Sequence, residues 1–304
     1  MLRFITRRVA FILIVCTAII FISYLGMGMI RNSEAASPSY DLVAQTHLAW
    51  GRSRVYITSL FDGEISFKIS QPGLSGVDTG EGNAFLNSAV LLAIALGGSA
   101  LIGLPLGAFA ALTRRKKLVT PLLFLVLIGI STPVFFSGFL LQQIEIFYLF
   151  FFGRSLVSVA GFGWDIDHML LPILVLSARP IAYLTRQTFL AVDRVMEEHF
   201  IQTAYAKGLG RRYTVVVHAL RNVAIPILTA IGVSLRFSLG SLPIVEFLFL
   251  WPGMGLRLLQ AINNRQAAVV VTLTLMIGLT ILGINFLLDI TYRIVDPRIR
   301  DNQI

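Results

Sequence analysis

Six long apolar runs separated by polar segments organise this chain, at about 9–30, 85–112, 118–150, 169–191, 223–248 and 267–291. No helical or strand period interrupts them, so no face is reserved for water. Runs of roughly 18 or more apolar residues can cross a hydrocarbon core about 30 Å thick. Backbone polar groups in lipid must find partners within the segment, which makes each run a helix. The pattern predicts an all-α polytopic membrane protein with six transmembrane helices. The third run is long for one crossing and contains Ser131-Thr132-Pro133, which predicts a kink or strong tilt. Arg7-Arg8 precede the first run and Ala35-Ala36 follow it, yet its apolar stretch exceeds the roughly 7–15-residue core of a cleaved signal peptide.

The polar segments divide the chain into three parts. Residues 1–30 hold the N-terminal segment and first span. Residues 31–84 carry Pro38, Pro72 and many Gly and Ser, which predicts an extracytoplasmic cap with little regular structure. Residues 85–304 hold five spans. Between the fourth and fifth lies a polar loop at about 193–222, and Leu250–Gln266 contains Trp251-Pro252-Gly253-Met254-Gly255. Trp favours the membrane interface, while Pro and Gly break a helix, which suits a hairpin dipping part way into the membrane.

Composition agrees with lipid as the solvent: of 304 residues, 56% are hydrophobic and 13% charged. The net charge of +9 raises the question of nucleic acid, but its distribution answers a different one. With the N-terminus inside, the inner segments hold 15 of the basic residues, including Arg114-Arg115-Lys116-Lys117, and the outer segments hold seven. Basic residues concentrate on the cytoplasmic side of membrane proteins, which places both termini in the cytoplasm. No soluble surface interleaves basic and aromatic residues, so nucleic acid is not a partner.

The chemistry of the chain is sparse. Cys16 is the single cysteine, within the first span. His47, His168, His199 and His218 are scattered without metal-ligand spacing, so no metal is expected. No GxxxxGK followed by Ser or Thr occurs, and no nucleophile–base pair can be named, so no catalytic residue is assigned. Ionisable residues within spans are expensive and mark functional candidates. Arg179 and Arg236 are candidates for a polar pathway, with Glu246 near the outer end of the fifth span; Glu145 and Asp289 also lie near span ends. An ion-coupled carrier would place carboxylates deep in its spans.

The polar loop is the densest feature. Ala204 and Gly208 are four apart and share a helical face that a partner can approach closely. Phe200 and Leu209 offer apolar anchors, and Arg211, Arg212 and Arg221 suit an acidic rim. A short helix in a partner's groove has this composition, and so does an amphipathic helix on the inner leaflet.

The loop resembles that of the integral membrane permeases of ABC importers of the dipeptide/oligopeptide/nickel type, which carry (D/E)-Y-I-x-T-A-R-A-K-G-L followed by H-A-L-R-N-x-x-x-P. Here the run is Glu198-His199-Phe200-Ile201-Gln202-Thr203-Ala204-Tyr205-Ala206-Lys207-Gly208-Leu209, then His218-Ala219-Leu220-Arg221-Asn222 and Pro226. Glu246, Trp251–Gly255 and Asp296-Pro297-Arg298-Ile299-Arg300 follow in family order. Departures are Arg31-Asn32-Ser33-Glu34 in place of P-G-D-P, and His199, Tyr205 and Phe189 at positions of other residue types.

The resemblance implies a type I ABC importer permease fold in a prokaryotic plasma membrane. It implies a pore subunit for di- or oligopeptides, with nickel, glutathione and oligosaccharide as alternatives. Glu198, Thr203, Ala204, Lys207, Gly208 and Leu209 would couple to one or two cytoplasmic ABC ATPases, which would bind ATP and Mg while this chain binds no cofactor. Trp251, Pro252 and Gly253 would form the outer hairpin. A second homologous permease and an extracytoplasmic binding protein would complete the assembly.

Overall fold

The computed structural model describes residues 2–32, 42–62, 81–113 and 116–295, and every regular element among them is helical. In chain order these are α1 (Leu2–Asn32), α2 (Leu42–Phe61), α3 (Glu81–Leu112), α4 (Lys116–Ser131), α5 (Val134–Phe152), α6 (Ile166–Met196) and α7 (His199–Ala206). Then come α8 (Arg211–Tyr213), a π-helical turn (Thr214–Ala219), α9 (Leu220–Leu248), α10 (Met254–Asn263) and α11 (Ala267–Val295). Six helical stretches are long and apolar enough to span a membrane: Thr6–Ile30, Asn83–Leu112, Val134–Phe152, Ile166–Met196, Arg211–Leu248 and Ala267–Thr291. Arg114-Arg115 and the Asp296–Arg300 motif lie outside the described residues.

Two expectations change. The run at 118–150 is not one kinked helix but two, α4 and α5, separated at Thr132-Pro133. Pro133 sits at φ −64°, ψ 141° as the residue before α5. It offers no N–H, its ring would clash with the preceding turn, and the residue before it is pushed out of helical conformation. At about 1.5 Å per residue α4 extends only about 24 Å, short of a full crossing.

Regular structure does occur within the segment 31–84, because residues 42–61 form α2. Its Ala49, Ser53, Tyr56 and Ile57 recur at helical spacing and turn inward, and Tyr56 joins a core with Ile20, Val271 and Leu275. The Tyr56 hydroxyl lies 2.8 Å from Thr272 Oγ1, while Trp50 meets Phe21 edge to face at 6.2 Å. Burial of an aromatic face overrides the Gly- and Ser-rich composition that reads as loop.

The chain forms two compact units that do not follow chain order: Met1–Ser88 with Pro252–Phe286, and Ala89–Trp251 with Leu287–Ile304. In the first, α1, α2 and most of α11 share the core just described, and Met27, Ala261 and Val270 form a second cluster.

In the second unit α6 and α9 make the most extensive helix pair, with α4 and α5 packed on α6. Their buried faces are rich in small and hydroxyl residues: Ser177, Ala182, Thr185 and Thr188 on α6, and Ala230, Gly232, Ser234 and Ser238 on α9. Such residues let backbones approach where lipid gives no hydrophobic drive. A close seat on the backbone of α6 belongs to α3. A Cβ at Gly103 would lie 2.9 Å from Leu184 Cβ, and one at Gly107 would meet Thr185 O and lie 2.7 Å from Thr188 Cβ. Gly103-Leu104-Pro105-Leu106-Gly107 is thus a GxxxG contact that lays α3 against the backbone of α6.

Candidate functional site

The loop between α6 and α9 is helical almost throughout. Glu198 takes an extended backbone at φ −66°, ψ 146° before α7 and makes no side-chain cap bond; its carbonyl accepts from Ile201 N at 3.0 Å. Thr203 Oγ1 donates back to His199 O at 2.9 Å. Gly208 stops the helix at φ +79°, with Gly208 N donating to Tyr205 O at 2.9 Å and Leu209 N to Ala204 O at 3.2 Å. These paired bonds form a Schellman cap, whose left-handed residue is normally glycine.

The described geometry separates the six candidates. Glu198, Thr203, Lys207 and Gly208 are exposed, and Leu209 is partly covered. Ala204 is buried along with Ile201, so the expectation that Ala204 and Gly208 present one open face to a partner is corrected. The alanine is small because α7 packs on the π-helical turn. The exposed side of α7 instead carries His199, Phe200, Gln202, Thr203, Tyr205 and Ala206. Gly208 has open space around it: a Cβ there would meet nothing within 4 Å.

Beyond Gly210 a single helical rod runs from Arg211 to Leu248. Thr214 anchors its start, its Oγ1 donating to Gly210 O at 3.2 Å. The π turn at Thr214–Ala219 widens the helix by one residue, a feature that recurs at functional sites. Asn222 Nδ2 donates to His218 O at 2.7 Å, occupying a carbonyl at the change from π to α geometry. That bond gives the Asn of the His-Ala-Leu-Arg-Asn run a structural task. Arg211 turns onto its own chain: its Nη2 donates to the carbonyl of Leu112, the last residue of α3. A cleft of about 420 Å³ lies here, lined by Ala111, Leu112, Met196, Tyr205 and Arg211.

The candidates within the spans do not form one cluster. The Arg179 guanidinium lies 4.5 Å from the centroid of the Phe237 ring, which also meets Tyr183 edge to face at 5.5 Å. Arg179 Nε has no hydrogen-bond partner, and Arg236, next to Phe237, is exposed. Two arginines thus reach the same level of the α6–α9 pair. Glu246 is fully buried and stands ten residues from Arg236, roughly 15 Å along α9. Sequence reasoning missed the hydroxyls of Thr188, Ser234 and Ser238, which are buried at this helix pair without a hydrogen bond.

The residues at 153–165 form a tied rim. Glu145 Oε1 accepts from Leu156 N at 2.5 Å and Val157 N at 3.1 Å, and Gln142 Nε2 donates to Val159 O and Leu248 O. Trp251 is fully buried and meets Phe162 at 4.9 Å and Trp164 at 5.8 Å, after a left-handed turn at Leu250 (φ 54°). Gly161 N donates to Phe249 O at 2.8 Å. In the first unit Pro252 O accepts from Asn87 Nδ2 at 2.9 Å, and Met254 N, at the start of α10, donates to Ser88 Oγ at 2.8 Å. Gly253 is extended at φ −99°, ψ −176°. Among the described residues no three His, Cys, Asp or Glu groups come together to hold a metal.

The described residues form a polytopic helical unit with a short capped helix between two spans. The chain belongs to the family of binding-protein-dependent transport system inner membrane components, whose model matches residues 103–301. It is a multi-pass inner-membrane protein. It is 33% identical over 224 residues to the dipeptide transport system permease protein DppB of Escherichia coli K12, a match covering 66% of each chain. Identity to DppB of Haemophilus influenzae is 32% over 268 residues, 81% of this chain and 79% of the relative. Identity to the glutathione transport system permease protein GsiC of Salmonella choleraesuis is 31% over 245 residues, 81% and 78% of the two chains. Among solved structures, an inward-facing MetNI methionine ABC transporter matches with TM-score 0.57 at 18% identity, over 70% of this chain and 95% of that one.

Proposed function

We propose that this chain is a pore-forming permease subunit of an ATP-driven importer of di- and oligopeptides. The observation that carries the reading is α7: its inner face is buried on its own chain, while its outer face and the Gly208 cap stand exposed between two spans. A helix held this way on a rod running into the membrane suits docking in a partner's groove. The partner is one or two ABC ATPases that bind ATP and Mg. A second homologous permease completes the pathway, and an extracytoplasmic protein delivers the substrate. The basic-residue distribution supports an orientation with α7 and both termini in the cytoplasm and the 153–165 rim outside. ATP binding then shifts the population between inward- and outward-open states through α7.

Dipeptides and glutathione are named for relatives of this chain. A peptide ends in a carboxylate, and Arg179 and Arg236 at one level of the α6–α9 pair can pair with it. Copurification from membranes, followed by peptide uptake into vesicles, tests the reading. A P-loop ATPase and a second permease should accompany the chain. Arg179→Gln with Arg236→Gln should lower dipeptide uptake at unchanged assembly. A solitary active carrier would overturn the proposal.

A further inference from the structure

We propose that Arg211 is a positioning residue that makes the end of α3 move with the α7 loop. The inference rests on the coupling role proposed for that loop. Leu112 closes α3, so its carbonyl is among the four at a helix C-terminus that lack an intrahelical partner. The Arg211 guanidinium supplies the donor and places a cation at the negative end of the helix dipole. Its other end is covalent: Arg211 is the first residue of the rod that becomes α9. One side chain therefore joins the start of one span to the finish of another, 99 residues apart in sequence.

The surroundings make this bond count. The cleft lined by Ala111, Leu112, Met196, Tyr205 and Arg211 leaves open space between the loop and the α3 end, and the guanidinium crosses it. Five residues before Leu112, Gly107 is locked against Thr185 and Thr188 of α6. A pull on the loop reaches α6 and α9 through the backbone. It reaches the last turn of α3 through Arg211, and the GxxxG seat then passes it along the α3–α6 pair. Lys207 and Arg212 are exposed and free to meet a partner, whereas Arg211 acts inside the subunit.

The test uses the complex copurified with its ATPase and held in lipid nanodiscs. Spin labels at Thr113→Cys and Glu197→Cys, on a Cys16→Ser background, report the spacing between the α3 end and the α7 loop. Without nucleotide, and again with ATP, Mg and vanadate, wild type should give one narrow distance distribution. Arg211→Gln should broaden it at least twofold, and ATP turnover should continue while its stimulation by binding protein falls about tenfold. Arg211→Lys should restore the narrow distribution in part, and Arg212→Gln should leave the distance distribution unchanged. Loss of the ATPase from the Arg211→Gln complex would make Arg211 a docking residue and overturn the proposal, as would an unchanged distance distribution. If wild type carries no ATPase, the coupling reading fails instead. The nucleotide-free distances of the chain alone then decide whether Arg211 fastens α3.

Discussion

The amide of Leu209 donates to the carbonyl of Ala204 at 3.2 Å, across a left-handed Gly208. That bond closes α7 and turns the chain toward Arg211. A side chain in this conformation costs about 1–2 kcal/mol for most residues and less for Asn, which tolerates it. Gly208→Ala should lower stability by about 1 kcal/mol, measured by thermal unfolding in detergent. Gly208→Asn should cost less in unfolding yet add bulk to an open face. If that face docks an ATPase, Asn should weaken copurification more than Ala does, reversing the order found for stability.

Gly107 faces the opposite constraint, since its φ is ordinary and its surroundings are full. Gly107→Val should force α3 away from Thr185 and Thr188 and destabilise by about 3 kcal/mol or more, the upper range of overpacking. Gly97→Ala and Gly98→Ala on the same helix meet nothing within 4 Å and should be neutral or stabilising by up to about 1 kcal/mol. Melting temperatures of the three variants check the contrast.

Glu145 serves the rim as an acceptor of two amides. Glu145→Leu removes the acceptor of the part-buried Leu156 N and Val157 N and should cost about 1.5–3 kcal/mol, the range for hydrogen bonds to a charged group. Glu145→Gln keeps an acceptor oxygen and should cost much less. Protease cleavage within 153–165 should rise in the Leu variant alone.

Asp165 precedes α6, accepts His168 N at 3.2 Å and lies 2.6 Å from His168 Nδ1. The side-chain hydrogen bond with His168 is the main cause that holds its carboxyl below the ordinary carboxylate range. A carboxyl depressed in the folded state contributes its stability above the unfolded value of about 3.9 and loses it as pH falls through the folded one. The wild-type melting temperature should therefore fall below about pH 4 more steeply than that of Asp165→Asn.

Much of this architecture was legible in sequence because lipid imposes a coarse rule: long apolar runs become helices. The five other spans appear close to where hydropathy puts them. The break at Pro133 was visible as a proline, but sequence could not choose between a bent helix and two. That choice depended on how α4 and α5 each pack on α6. Helix α2 was missed because its buried face meets partners more than 200 residues away, as Tyr56 meets Thr272.

The candidate loop divides in the same way. Sequence by itself determined a polar insert between two spans, a glycine stop at Gly208 and a family pattern, since caps and hydropathy are local properties. Tertiary structure decided that Ala204 turns inward, that Glu145 holds a rim and that Arg211 reaches Leu112. The last two depend on which backbone group comes within about 3 Å, and no local pattern encodes that meeting. The short side chain of Ala204 reads the same whether it faces a partner or its own chain, and only packing separates the two.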